Sequence, residues 1–287
     1  DLDADLTVDG QFSQTGAGTN SLGGDITSTN AGLSFASNVF LFGTGTVTLT
    51  TGGGVGDDLV VGGTLTNDAT LKKGSPKSLI VDAGTGGDVS ITGAVNLSKS
   101  DLTIVNADQV TFSSSVAATN LTQSAANTTS GTTTFNGQVT LSGNMDFTGR
   151  ALTINAANNT VSGTMDVTNS GVFTTADAAD ITVTGQFTQD GTSTSSLGGD
   201  LTATAGMNFA RAILLTGSDA VSLVTGGAAG QDIVLGTDAT TDITGSGQAL
   251  TLDAGAAGDI TIEGDIGAAA AALGAITITN ADQVLFD

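Results

Sequence analysis

Apolar residues alternate with Thr, Ser or Asp in short runs along the chain, as in Val139-Thr-Leu141, Met145-Asp-Phe147 and Leu152-Thr-Ile154. A period of two over three to five residues predicts half-buried β-strands with one face inward and one face in water. Gly and Asn separate the runs. Gly137, Gly143 and Gly149 fall where the chain must turn, and glycine accepts the backbone conformations of tight corners. No stretch sustains a 3.6-residue period. Only the run Ala268 to Ala272 has helical character, and it is too short to stand alone.

A longer period organises the strands. Leu121, Leu141, Val161, Ile181, Leu201 and Val221 recur at steps of twenty residues, and Phe147, Val167, Phe187 and Met207 keep the same step. Two columns with one period are the signature of a solenoid. The expected fold is all-β, a parallel β-helix with three short strands per coil, about 20 residues per coil and about fourteen coils. Strand connections of this kind are right-handed, and coils should stack about 4.8 Å apart through backbone hydrogen bonds.

A third period is longer still. Asp5-Leu-Thr-Val-Asp-Gly-Gln-Phe12 returns as Asp180-Ile-Thr-Val-Thr-Gly-Gln-Phe187, and Asn106-Ala-Asp-Gln-Val110 returns as Asn280-Ala-Asp-Gln-Val284. Residues 1–287 therefore read as one continuous solenoid fragment holding about 1.65 copies of a unit of about 174 residues: 5–179, then a partial copy, 180–287. Shifts in the offset place an insertion in each copy. One contains Leu71-Lys-Lys-Gly-Ser-Pro-Lys77, read as a solvated corner loop or a contact for an acidic neighbour, and the other lies around Ala268 to Ala272.

Composition narrows the function. One proline in 287 residues, Pro76, suits a chain made of central strands. There are 27 Asp, one Glu (Glu263) and six Lys plus Arg, for a formal charge of −22. Such acidity disfavours nucleic acid and anionic membranes as partners and favours solubility and mutual repulsion. No run reaches the length of a membrane span. The chain begins and ends inside its pattern, as a piece of a longer polypeptide would, with any export signal or anchor outside it.

His, Cys, Trp and Tyr are absent. Their absence removes His-based acid–base and nucleophilic catalysis, most zinc sites and the aromatic platforms of carbohydrate-active β-helices, so no enzymatic activity and no catalytic residue are expected. Nucleotide-binding loops are missing as well. Four Asn-x-Ser/Thr sequons, at Asn96, Asn120, Asn127 and Asn158, are what chance provides in a Thr-rich chain. Calcium is the one candidate cofactor. Asp1, Asp3 and Asp5 alternate, Asp57 and Asp58 are adjacent, Asp177 and Asp180 flank a corner, and Asp146 and Asp166 stand one register step apart. Calcium needs six to eight oxygens, and the glycine-rich nonapeptide of a calcium roll is lacking, so these are weak candidates beside a solvated acidic face. Thr runs such as Thr44 to Thr51 are too irregular for an ice-binding ladder and suit exposed strands.

The phrases Asp-Ile-Thr-Val-Thr-Gly-Gln-Phe, Ser-Leu-Gly-Gly-Asp-Leu, Leu-Thr-Leu-Asp-Ala-Gly and Ile-Thr-Ile-Thr-Asn-Ala-Asp-Gln-Val resemble those of bacterial β-strand-repeat surface proteins similar to filamentous haemagglutinin. The resemblance covers the whole chain. It implies a right-handed parallel β-helix, export to the cell surface or medium, and a stalk, fibre or surface-layer role. The alternative is an adhesin segment that binds carbohydrate or protein through a lateral face. Exposed solenoid ends are open strand edges, so like repeats are the expected partners, end to end or side by side.

Overall fold

The computed structural model describes residues 1–67, 76–97, 99–124, 131–236, 242–267 and 272–287. Among these residues the chain is all-β with no helix, and three parallel sheets stack as a β-solenoid of about 12 turns with roughly 22 residues per coil. Two compact units are formed, Asp1–Arg150 and Ala151–Asp287. No helix among the described residues is long and apolar enough to cross a membrane. Most of the Ala268 to Ala272 run lies outside the described residues, as do Lys72, Lys73 and Asn127.

One turn of the first unit shows how a coil is built. Leu102–Asn106, Val110–Phe112 and Val116–Ala118 contribute one strand to each sheet. The next coil repeats the pattern above them: Leu102 pairs with Leu121, Val110 with Thr133 and Val116 with Val139. Alternate positions of each strand point inward. Leu102, Ile104, Val116, Leu121 and Phe135 are all at most 1% exposed. The inward side chains form columns along the axis, and Phe112 stacks on Phe135 with ring centroids 5.0 Å apart and planes 5° from parallel. In the second unit Phe187 touches Phe173 at 5.9 Å and Phe209 at 4.9 Å. Each such side chain removes apolar surface worth about 1.5–3 kcal/mol from water.

The coil is longer and less regular than twenty residues, which is why the turns number about 12 rather than fourteen. In the first unit the step runs from nineteen residues, Leu102 on Leu121, to thirty-two, Val47 on Leu79. Corner loops absorb the difference, while the strands stay short. Within the second unit Ile181 does pair with Leu201 and Phe187 with Met207. Val161, however, pairs with Val183, and Leu201 pairs with Leu223 rather than Val221. A two-residue slip leaves a side chain on the same face of a strand. That is why a twenty-residue column survives in the sequence although the stacking does not follow it. Leu121 leaves the column altogether. It pairs with Leu102 and Met145 in one sheet, whereas Leu141 pairs with Ala118 in another.

The tandem repeat reappears as repeated registers. Leu6 on Ile26 corresponds to Ile181 on Leu201, Val47 on Leu79 to Val221 on Leu250, and Val89 on Val110 to Ile260 on Val284. Even the irregularities recur. The ladder shifts by one residue before Asp82 against Asn106 and again before Asp253 against Asn280.

Lys77 departs from the solvated loop expected of its segment. It is 6% exposed, and its ammonium donates to the carbonyl oxygens of Gly23 and of Thr46, the latter at 3.4 Å. The side chain runs past Gly43, where a Cβ would come within 3.3 Å of Lys77 Cε. The absence of a side chain at Gly43 opens that path to the carbonyls of earlier coils.

Glycine is required where two corners meet. In the first unit Gly53 and Gly84 have φ of +81° and +67°, and a Cβ on Gly84 would lie 2.3 Å from Gly53 Cα. Gly227 and Gly255 reproduce the arrangement in the second unit, at 2.2 Å. Left-handed backbone and backbone contact act together at these sites. Gly84→Ala is therefore expected to lower the unfolding free energy by about 2 kcal/mol or more, measured by urea denaturation; an unchanged midpoint would show that the corner relaxes freely.

Candidate functional site

A parallel ladder leaves a backbone N–H without a ladder acceptor wherever a strand begins at a corner, because the preceding chain has already turned away. At many such positions in this protein an Asp or Asn side chain takes that hydrogen. Asp5 Oδ1 accepts from the N–H of Asp25 at 3.0 Å, and Asp25 Oδ1 accepts from that of Thr48 at 2.7 Å. Asp58 receives Asp88 at 2.9 Å, and Asp88 receives Gln109 at 3.1 Å. Asp101 receives Asn120 at 3.1 Å, and Asn120 receives Asn144 at 2.8 Å.

The second unit does the same. Asp180 receives Asp200 at 3.1 Å, Asp200 receives Ser222 at 2.7 Å, Asp232 receives Asp259 at 2.9 Å and Asp259 receives Gln283 at 3.1 Å. Each of these acidic residues stands one place before its strand. The main-chain carbonyl of the upper member meanwhile accepts from the first strand residue below, as in Leu59 N–H to Asp88 O and Ile181 N–H to Asp200 O. The result is a ladder in which side-chain carboxylates continue the backbone pattern through the corner. Glutamate has one methylene more than this short reach uses, which favours Asp at these positions.

The candidate calcium residues take separate places. Asp1, Asp3 and Asp5 are exposed at the first coil, with Asp5 serving Asp25. Asp57 turns back to the N–H of Gly54 at 2.9 Å while its neighbour Asp58 joins the ladder. Asp146 lies outward in register with Thr122; Asp166 lies outward in register with Thr188 and accepts from the Thr164 hydroxyl at 3.2 Å. Asp177 holds the N–H and hydroxyl of Ser218, and Asp180 belongs to the ladder. Among the described residues no three acidic side chains converge in a way that could hold a metal ion. Asn120 has its amide committed to Asp101 and Asn144.

Sequence reasoning misses the ladder itself, although its signal is there: an Asp directly before an aliphatic strand start, in Asp25-Ile26, Asp58-Leu59, Asp88-Val89, Asp180-Ile181 and Asp259-Ile260.

Stacking carboxylates one coil apart has an electrostatic cost. Burial raises the Asp88 pKa above the ordinary carboxylate value, the charges of Asp58 and Asp108 raise it further, and the hydrogen bond from Gln109 N–H partly offsets them. No known protein family, curated protein or solved structure matches the chain.

A raised folded-state pKa means that the folded protein binds the proton more tightly than the unfolded chain does. Ionised Asp88 therefore weakens the fold at neutral pH, and stability returns as pH falls through the folded pKa toward the unfolded one. Asp88→Asn keeps the acceptor for Gln109 and removes the charge. It is expected to melt above the parent at pH 7, with the difference vanishing once the pH is below the unfolded-state carboxylate pKa; a constant difference across the titration would contradict this assignment.

Proposed function

We propose that the chain is a structural segment of a long extracellular repeat protein, similar to the filamentous-haemagglutinin-like surface proteins, serving as a stalk, fibre or surface-layer element. The observation that carries this reading is the in-register pairing of successive coils, with the corner amides taken by Asp side chains. A scaffold of that kind resists extension along its axis through many backbone hydrogen bonds at once.

The outer surface suits assembly with its own kind. In the first unit the outward column Ser13, Ser34, Val60, Ser90, Thr111 and Thr134 runs through consecutive strands of one sheet without a charge. Much of the negative charge sits at the corners, where it keeps neighbouring rods apart or is bridged by divalent cations such as calcium.

A second reading, an adhesin segment, draws on one polar groove of the second unit. Asn158, Thr160, Thr182 and Thr202 line it beside Asp180 and Asp200. Hydroxyl and carboxylate groups on a concave strand face are the donors and acceptors that a neutral carbohydrate would use.

Electron microscopy of the native cell surface with an antibody against the repeat separates the two. Dense label on a continuous filament or lattice that disperses when divalent cations are chelated is the expected result. Sparse label on single projections, unaffected by chelation, would contradict the assembly reading and favour an adhesin shaft.

A further inference from the structure

Most inward positions are apolar, but two inward Gln residues that end strands of the first unit are each answered by a polar side chain of the strand that follows. In the first unit Gln14 Oε1 accepts from Asn20 Nδ2 at 3.2 Å, and Gln123 Oε1 accepts from the Thr133 hydroxyl at 2.7 Å. Gln123 and Thr133 are each 2% exposed. The pairing closes a polar corner that the surrounding columns of Leu, Val and Phe cannot satisfy.

In sequence the second unit repeats the first of these pairs with one change, now between a strand of the 13-stranded sheet and one of the 11-stranded sheet. Gln189 stands where Gln14 stands in the repeat, and Ser195 stands where Asn20 stands, at the same separation of six residues. Both are 0% exposed. Gln189 Nε2 donates to Asn169 Oδ1 at 2.7 Å and to the Ser193 carbonyl at 3.2 Å, which fixes which way the amide faces. Turning it over would set Gln189 Oε1 against two acceptors. Gln189 Oε1 and Ser195 Oγ are both without a hydrogen-bond partner in the protein. Their register neighbours are Val167 and Phe209 for Gln189, and Phe173 and Ile213 for Ser195. None of these four side chains can donate or accept.

We infer that the Gln189–Ser195 corner is an internal hydration site, holding one ordered water that accepts from the Ser195 hydroxyl and donates to Gln189 Oε1. Serine is shorter than asparagine by the amide, so the group that joins Asn20 directly to Gln14 is replaced here by a water. Buried polar atoms left unmet destabilise a fold, and a buried water with two to four polar partners is the usual remedy. The same chemistry excludes a charged or apolar occupant: the walls are hydrocarbon, and the two polar groups are a neutral hydroxyl and a neutral amide oxygen.

A high-resolution crystal structure tests the site directly. The expected result is a solvent peak about 2.8 Å from both Ser195 Oγ and Gln189 Oε1; a Ser195 hydroxyl bonded straight to Gln189 or to a main-chain carbonyl, with no solvent peak, would overturn the inference. Ser195→Asn supplies the amide of the first unit. In that variant the peak should disappear, the introduced amide should donate to Gln189 Oε1, and the melting temperature should rise by about 2–4 °C. A peak that persists beside the introduced amide, or a variant that melts at or below the parent, would count against a bridging water.

Discussion

Everything in this fold depends on continuing a parallel hydrogen-bond ladder around a corner. Along a strand each coil satisfies the one below it, but at the strand entrance the backbone direction changes and an N–H is left facing the axis. Water reaches these positions only partly. A side-chain acceptor at the right height solves the problem locally, and it must be short, because the next coil is only about 4.8 Å away. Aspartate and asparagine meet that requirement. Asp58 with Asp88 and Asp180 with Asp200 show the same contact in the two units, at 2.9 and 3.1 Å.

The choice of aspartate over asparagine sets the surface. Carboxylates accept from amides more strongly than neutral groups do, yet stacking them places like charges one coil apart. The stacks are kept short. Asp25 is followed by Thr48, Asp88 by Gln109, Asp200 by Ser222 and Asp259 by Gln283, so a neutral residue ends each pair. Part of the negative charge is thus held at the corners in pairs, each ended by a neutral residue.

The fold class is legible in the sequence because period-2 alternation and glycine-marked corners are local signals. Phe147, Val167 and Phe187 fall on inward positions of the pattern, and each is at most 1% exposed. The coil length is legible only approximately. Corner loops vary freely, and a slip of two residues keeps a side chain inside, so the twenty-residue column through Val161 and Val221 imitates a stacking that the chain does not make. Lys77 escapes sequence reasoning for a different reason. Its path inward depends on the bare backbone of Gly43, which is far away in sequence. The acidic residues read in sequence as candidate metal ligands. Their ladder role is invisible until coils are superposed, because donor and acceptor lie nineteen to thirty residues apart.

The most direct test of the ladder compares Asp200→Asn with Asp200→Ala in thermal and urea unfolding at neutral pH. Asp200 Oδ1 receives Ser222 N–H at 2.7 Å, and its own N–H goes to Asp180. Asparagine retains the acceptor and removes a stacked charge, so that variant should match or exceed the parent, while alanine should lose about 1 kcal/mol or more. Equal stability of the alanine and asparagine variants would contradict the account, because it would mean that the corner amide does not need the side chain.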